Sequence, residues 1–337
     1  MAVAATLAAG LIFVGLGEDT SDAPSATTVA SILSVALDEQ IPQFTGTLHA
    51  TLNFNRRPTY LRWESAADSP DLISLDTPGM RLNSDLTQVA AINFIGDVAG
   101  DLRVGPPGET VAITPDVTAF AWHDTDPMQI AVTRTLMDTS LWLAQLDPDF
   151  GYRVVSVARV PPGSQVVALG DWGYALHSAG DADGNRMTIV TSRSGQEVGR
   201  VRGEVVFVLP GPMGGVMVAD PLGDDVTTIW AADKPSAASI NAERRLLKVL
   251  WSDDLGSYAE LSDGPEPDVD VLFVSVTTPL ETISYTLDGA VPYDWDPTGR
   301  FLAAVLNARI VILDTVDGVF HEVGIPASLI SDVRLSG

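Results

Sequence analysis

The chain has 337 residues and a formal net charge of −25, from 44 acidic and 19 basic side chains. Because proteins bind nucleic acids and anionic membranes by placing Lys and Arg against phosphates, this charge disfavours both partners. The sequence contains no cysteine, which excludes disulfides, thiolate catalysis and cysteine-held clusters. We interpret the acidity mainly as a source of solubility, with a basic protein partner as the alternative.

The N-terminus is an apolar segment. Residues 2–16 read AVAATLAAGLIFVGL, and no Lys or Arg precedes Arg56. As a helix the run would be roughly 23 Å long, which is short for a membrane span but has the length of a signal-peptide core. An anchor, a cleaved signal and a buried helix all stay open. We expect residues 1–17 to be a signal or anchor of an exported protein, and its only contact with the membrane.

Residues 18–45 are predicted to be a linker, because they are rich in Ser, Thr, Ala, Asp and Pro, as in EDTSDAPSATT. An apolar patch within the linker, Val29–Leu37, predicts a helix of two to three turns. Residues 46–337 then form one domain. The hydrophobic fraction of 46% supports a packed core, and 29 Gly with 22 Pro suit a fold with many turns.

A short sequence motif recurs along this domain at nearly even spacing. Its clearest copies are the stretches around Trp122, Trp251 and Trp295. We call the large apolar residue of each copy its anchor. Successive anchors are 40, 47, 40, 42, 44 and 40 residues apart. The anchors are Leu82, Trp122, Leu169, Leu209, Trp251, Trp295 and Leu335. A period in the low forties, filled with short strands, predicts an all-β fold of the β-propeller type. We expect the anchors to pack between blades.

Each repeat holds several runs rich in Val, Ile and Thr, bounded by Gly, Asp, Pro or Asn. After the first anchor these runs are Gln88–Asn93, Gly100–Val104 and Thr110–Thr114, which predict strands separated by turns. The stretch Ala237–Leu250 has the composition of a helix. We predict a strand for its tail, because the repeat requires one before Trp251.

The two ends of the domain predict how the sheet closes. The last anchor, Leu335, stands almost at the C-terminus, whereas three strand-like runs precede the first anchor: 47–52, 60–64 and 72–76. One C-terminal strand and three N-terminal strands would complete one four-stranded blade, and their pairing would leave no exposed terminal edge. This arithmetic predicts seven blades joined in a ring, with six blades as the alternative.

The stretch Tyr293–Ala304 resembles the blade signature of the WD40-like and TolB-type propellers, in which Trp, a small polar residue, Pro, Asp, Gly and a basic residue lead into a small-apolar strand. Thr298 stands where Asp is usual, and Arg309–Asp314 is similar to the third strand of such a blade. The resemblance is strong in this repeat and moderate around Trp122 and Trp251. It implies a binding or scaffold role, although propellers carry many functions.

One segment has the residue types of a cation site. Asp181, Asp183 and Asn185 surround Gly184, but an EF-hand loop has its Gly at the sixth position and here it is the fourth. Between two predicted strands such a segment is ordinary hairpin chemistry. We therefore predict a turn and keep the three residues as weak metal candidates.

No other pattern carries a catalytic prediction. Acidic clusters at Asp224–Asp225, Asp253–Asp254 and Asp263–Asp268 could supply the paired carboxylates of a glycosidase, but solvated turns are the simpler interpretation among 44 acids. His123 follows an anchor and is expected to bond within a turn rather than to hold a ligand. The sequence has no nucleophile-elbow motif for Ser–His–Asp catalysis.

We therefore predict a non-enzymatic binding or scaffold protein on the extracytoplasmic side, without a cofactor, which assembles with one or more proteins of an envelope or membrane complex. A propeller enzyme resembling a hydrolase or lactonase with a bound cation is the alternative. A module that binds a glycan or small molecule is a further alternative.

Overall fold

The structure is a computed structural model, and it describes residues 37–38 and 46–337 except for short gaps. The gaps are 65–68, 96–97, 136–137, 148–150, 179–185, 210–213, 221–224, 231–235, 242–244, 253–255, 265–268, 278–281 and 324–328. Every regular element in the described residues is a β-strand. The described part accordingly offers no helix of the length and apolarity that a membrane span needs.

The strands follow one another at short intervals. The first fourteen are β1 Leu37–Asp38, β2 Thr47–Phe54, β3 Arg57–Glu64, β4 Asp71–Ser74, β5 Arg81–Leu82, β6 Val89–Phe94, β7 Gly100–Gly105, β8 Val111–Trp122, β9 Gln129–Thr135, β10 Thr139–Asp147, β11 Gly151–Arg159, β12 Gln165–Gly170, β13 Gly173–His177 and β14 Met187–Thr191. The others are β15 Glu197–Arg202, β16 Glu204–Leu209, β17 Gly215–Ala219, β18 Asp225–Trp230, β19 Ser236–Asn241, β20 Leu246–Trp251, β21 Ser257–Asp263, β22 Asp270–Thr277, β23 Thr282–Asp288, β24 Ala290–Trp295, β25 Phe301–Leu306, β26 Arg309–Asp314, β27 Val319–Glu322 and β28 Ile330–Ser336.

The strands form antiparallel meanders in chain order. Three sheets are simple four-stranded meanders, β12 to β15, β16 to β19 and β20 to β23. A fourth, β24 to β27, carries β1 on its outer edge, and a seven-stranded sheet runs from β5 to β11. The predicted strand at the tail of Ala237–Leu250 is confirmed as β20, so no helix interrupts the described meanders.

One sheet joins the two ends of the domain. Its order is β28-β2-β3-β4, and we call it the terminal sheet. The antiparallel ladder between β2 and β28 runs from Thr47 opposite Ser336 to Leu52 opposite Ile330. The C-terminal strand and three N-terminal strands thus share one sheet, in the order that their sequence positions indicate.

The long strand β8 corrects the predicted boundaries. The sequence suggested a separate strand at Thr110–Thr114, but Val111–Trp122 is one continuous element. Its first part pairs with β7 and its second part with β9. The strand bends between these parts at Pro115–Asp116, where Asp116 has a φ of 59°. The bend lets one strand serve as the last of one four-stranded group and the first of the next.

A second correction concerns the predicted linker helix over Val29–Leu37. Leu37 lies in β1, which pairs in parallel with β27 through Leu37 opposite Phe320 and Asp38 opposite His321. An added strand covers part of the edge of β27, and covering such an edge removes unpaired backbone groups. The rest of that helix, the segment 1–17 and most of the linker lie outside the described residues.

The first strand of each four-stranded group carries one anchor residue. These first strands are β5, β8, β12, β16, β20, β24 and β28. All of them except β5 contain a β-bulge against the second strand, so that one residue in each has no cross-strand partner. These residues are Thr118, Val167, Val206, Leu247, Tyr293 and Ser331. A bulge strengthens the local twist of a strand. Its recurrence shows that the repeat seen in the sequence is also a repeat of backbone geometry.

The hydrophobic core is divided into clusters that join successive groups of strands. Leu272 of β22 packs with Trp295 of β24 and Leu302 of β25, for example. Another cluster joins the terminal sheet to the preceding sheet through Leu48 and Phe301, and Tyr60 with Leu82 joins the terminal sheet to β5 and β6. Both faces of most sheets are therefore covered, which explains why the strands alternate so weakly.

Replacing Leu61 by Ala should lower the free energy of unfolding by about 2–5 kcal/mol, because the side chain is fully buried and its removal leaves a cavity. Leu72 is the matched control. It is the cross-strand partner of Leu61 but is 44% exposed, so Leu72→Ala should change stability by less than about 0.5 kcal/mol. Urea unfolding measures both variants. Equal losses in the two would contradict this packing.

Candidate functional site

The seven anchors lie where first strands end. Five of them are buried, at 1–7% exposure: Leu82, Leu169, Leu209, Trp295 and Leu335. Trp122 and Trp251 are partly buried. The indole of Trp122 donates to the carbonyl of Arg81 at 3.0 Å, and that of Trp295 donates to the carbonyl of Leu250 at 3.4 Å. Each bond links two successive first strands, so these indoles pack between four-stranded groups rather than form a platform for a sugar.

The residue that follows an anchor holds the next turn together. The side chains of Asn83, Ser252 and Asp296 each accept the backbone N–H of the residue five positions later, at 2.6–3.1 Å. His123 does the same work differently, since its Nδ1 accepts the N–H groups of Thr125 and Asp126. His123 is only 1% exposed. Its Nδ1 therefore stabilises the turn, while its buried Nε2 has no hydrogen-bond partner among the described residues and lies 3.5 Å from Asp171 Oδ1.

The stretch that resembles a propeller signature is explained by local bonds. Asp296 Oδ2 accepts hydrogen bonds from both the N–H and the hydroxyl of Thr298. Thr298 therefore takes part in this turn although it lacks the carboxylate of the Asp that is usual at its position. Arg300 donates two hydrogen bonds to Asp314, at 3.0 and 2.6 Å. The two bonds tie the β24–β25 turn to the end of β26. These bonds give the residues a structural role in the sheet.

The weak metal candidates Asp181, Asp183 and Asn185 lie outside the described residues, as do Asp253–Asp254 and most of the run from Asp263 to Asp268. Within the described ranges, no three His, Asp or Glu side chains converge as metal ligands would. Of the acidic sequence candidates, Asp225 and Asp263 are described, and neither belongs to such a group.

A pocket of about 520 Å³ opens beside the terminal sheet. Its polar lining comes from β2, β3, β28 and the β5–β6 turn, and its apolar lining includes Ile73, Leu86 and Pro107. One carboxylate oxygen of Asp85 accepts hydrogen bonds from both the N–H and the hydroxyl of Thr87. The volume lies in the range of small-molecule or side-chain pockets. We take this pocket as the candidate functional site.

Three side chains form a hydrogen-bonded row in the pocket. His49 Nε2 lies 3.1 Å from Ser336 Oγ, and His49 Nδ1 lies 2.6 Å from the hydroxyl of Tyr60. Either neutral tautomer of the imidazole satisfies both contacts. The β2–β28 pairing positions Ser336, and the β2–β3 pairing positions Tyr60.

The row has the order of a nucleophile, a base and an orienting group. Burial, helped by the charge of Arg62, lowers the pKa of His49 to about 4, and burial raises the pKa of Tyr60. The imidazole is therefore neutral and weakly basic at neutral pH, and the third group carries no charge. Such a row suits hydrogen bonding to a bound group better than activation of Ser336.

Most of the large apolar side chains that are exposed in the described residues lie on β4 and between β6 and β8. We call the set in β4 and in the region from β6 to β8 the apolar sector: Leu72, Ile73, Phe94, Ile95, Val98 and Val111. Six of the nine large apolar side chains that are exposed in the described residues belong to it. Ile73 also lines the pocket, whereas Phe94 pairs with Gly100 at the end of β6 that is away from the β5–β6 turn of the pocket.

Sequence reasoning missed this site for a physical reason. His49 and Ser336 are 287 residues apart and meet only because β2 pairs with β28. The available signal was the predicted terminal sheet, which placed the two runs side by side without giving their register. The apolar sector had no sequence signal, since Phe94 and Ile95 continue a strand whose earlier residues are buried.

Replacing His49 by Gln should make stability less dependent on pH between about 6.5 and 4. Because the folded-state pKa lies below that of the unfolded chain, the stability that neutral His49 contributes is complete above pH 6.5. It is lost as the pH falls toward 4, by up to about 1.4 kcal/mol per pH unit. Urea unfolding near pH 7 and near pH 5 gives this difference. An undiminished pH dependence in His49→Gln would contradict the assignment.

The sequence matches no protein-family model and no curated protein. Solved structures do resemble its fold. A protein from Lactobacillus plantarum has a TM-score of 0.53 at 12% identity, covering 87% of this chain and 99% of its own. A protein from Bacteroides fragilis that is provisionally called a 6-phosphogluconolactonase has a TM-score of 0.53 at 10% identity, covering 88% and 99%.

TolB from Acinetobacter baumannii is also similar, at 13% identity and a TM-score of 0.47, covering 88% of this chain and 68% of its own. The neighbours are propeller-type proteins of mixed kinds. At these identities the likeness extends to the fold alone, so the all-β architecture is of propeller type. Membership of the WD40-like or TolB-type family stays a prediction.

Proposed function

We propose that the sheets form a closed propeller of seven blades. The bend in β8 divides the seven-stranded sheet into two groups that share this strand, and the other five sheets add one group each. Seven core clusters support the ring, because each joins one group to the next. The terminal sheet takes part in two of them, on its two sides.

We propose further that the protein is a non-enzymatic binding module for another protein. The observation that carries this proposal is the apolar sector. Exposed apolar patches on soluble proteins mark interaction surfaces, and this patch stands out on a chain with a net charge of −25. The rigid antiparallel sheets supply the preorganised support that such a surface needs.

The partner that fits this surface presents an apolar segment flanked by hydrogen-bonding groups. Its apolar side chains would cover Phe94, Ile95 and their neighbours at the β6–β7 turn. A partner that extends along β6 to its other end would also meet His49 and Ser336 in the pocket with polar groups. Aromatic and aliphatic contacts of this kind supply most of the affinity of protein interfaces, and the surrounding polar groups supply specificity.

The double variant Phe94→Ser/Ile95→Ser should lose the partner. The exposed fractions of Phe94 and Ile95 are 55% and 73%, so both can be replaced without opening the core. Each buried large apolar side chain contributes about 1.5–3 kcal/mol to an interface, and the pair should lower affinity at least about tenfold. Affinity purification of the tagged protein in mild detergent, followed by quantification of each retained protein, measures the loss.

Val316→Ser is the matched control, since Val316 is 68% exposed on the β26–β27 turn, outside the apolar sector. It should retain the same partner as the unaltered chain. Sedimentation of the purified protein checks whether a second copy of the chain occupies the surface. A chain that purifies alone, or a partner kept by the double variant, would overturn the proposal.

We also propose that the protein is exported and held at the membrane by its N-terminal apolar run. The support is the sequence of residues 2–16, which carries no charged side chain. The full chain should therefore sediment with membranes and need detergent for release, and deletion of residues 2–16 should move it to the soluble fraction. Full-length protein found wholly in the soluble fraction, with its N-terminus intact, would refute this anchoring.

A further inference from the structure

A charged cluster lies on four successive first strands and adjoins the candidate pocket, since Arg334 is the cross-strand partner of His49. It comprises Lys248 of β20, Asp294 of β24, Asp332 and Arg334 of β28, and Arg81 of β5. β24 contacts both β20 and β28, and β28 contacts β5. The cluster therefore holds three cations and two carboxylates, although the whole chain is strongly acidic.

The two carboxylates are occupied by structural contacts. Asp294 Oδ2 accepts the N–H of Leu335, and Asp332 Oδ2 accepts the N–H of Leu82, both at 2.9 Å. Arg334 lies 3.2 Å from Asp332 Oδ1 and 3.8 Å from Asp294 Oδ1. These contacts join three first strands and compensate Arg334 most directly, and the charges of Asp332 and Asp294 also favour the protonated form of Lys248 by raising its pKa.

Lys248 is held in place by contacts that use only part of its hydrogen-bonding capacity. Its Nζ donates to the carbonyl of Pro292 at 2.6 Å and lies 4.6 Å from the ring centroid of Tyr293. An ammonium has three N–H donors, so the Pro292 bond uses one of them. Burial, together with the charge of Arg334, lowers the pKa of Lys248 to about 8. A negatively charged group close to Lys248 would therefore stabilise its protonated form.

Arg81 is the least compensated cation of the cluster. Its guanidinium carbon lies 5.9 Å from the ring centroid of Phe120, and no carboxylate of the described residues lies within 4 Å of it. The residue is exposed, and its guanidinium carries five donors in a planar fork. Its charge is close enough to influence Lys248.

We propose that Lys248 and Arg81 bind an oxyanion, a phosphate or carboxylate group of a small ligand, where β20, β24, β28 and β5 come together. The fixed ammonium and the planar guanidinium are the two kinds of donor that such groups prefer. Arg334 adds positive charge behind them while its own aspartates keep it in position. The site is separate from the apolar sector, so its test does not depend on the proposed protein partner.

Titration of the purified full chain with sodium sulfate, phosphate and acetate tests the proposal, with heat of binding and amide shifts near Arg81 and Lys248 as readouts. At least one of these anions should bind. Lys248→Gln and Arg81→Gln should each weaken binding about tenfold or more, because each removes a charge-assisted hydrogen bond. Preference for phosphate over acetate assigns a phosphoryl ligand, and the reverse preference assigns a carboxylate.

Arg159→Gln is the matched control, since Arg159 is 87% exposed on the outer strand β11, and it should bind within about twofold of the unaltered chain. Arg81→Lys should restore part of the affinity lost in Arg81→Gln. Sulfate affinity should fall as the pH rises from about 7 to about 9, because Lys248 loses its proton there. Absence of binding by the folded chain, or an equal loss in Arg159→Gln, would overturn the proposal.

Discussion

The antiparallel pairing of β28 with β2 is the interaction on which the rest of this structure depends. It joins the two ends of the domain in one sheet and gives both strands a partner in place of an exposed edge. The same ladder sets Ser336 beside His49 in the candidate pocket. It also carries Asp332 and Arg334 into the charged cluster, where Asp332 bonds to the N–H of Leu82. Both candidate sites therefore exist only when the ends are joined.

The repeating framework could be predicted from sequence because it is imposed by local packing. A first strand must end in a large apolar side chain to fill the space between sheets, so residues such as Leu169 and Trp295 recur at a regular spacing and are buried. The bounds of β26 also follow directly from its Val- and Ile-rich run. By contrast, the continuity of β8 depends on the positive φ of Asp116, and β1 forms only because the edge of β27 is available. Neither leaves a periodic signal.

The sites were less accessible to sequence reasoning because their residues come from distant strands. The row of Ser336, His49 and Tyr60 requires the register of two strand pairs, and the cluster around Lys248 requires the order of four first strands. Sequence reasoning instead drew attention to acidic turns, most of which lie outside the described residues, and to the indoles, which pack between groups of strands. A local signal was present in the polar residue after each anchor, as at Asn83 and Asp296, but it marks turns and not function.

Native-state hydrogen exchange of β28 tests the central claim most directly, because it reports whether the C-terminal strand belongs to the cooperative fold. If β28 completes the terminal sheet, its amides that bond to β2 should exchange only through global unfolding, with the same protection as the central amides of β2 and β3. If β28 amides exchange at rates typical of a frayed end while β2 and β3 stay protected, the ends are not joined in solution. Both candidate sites would then lose their structural basis.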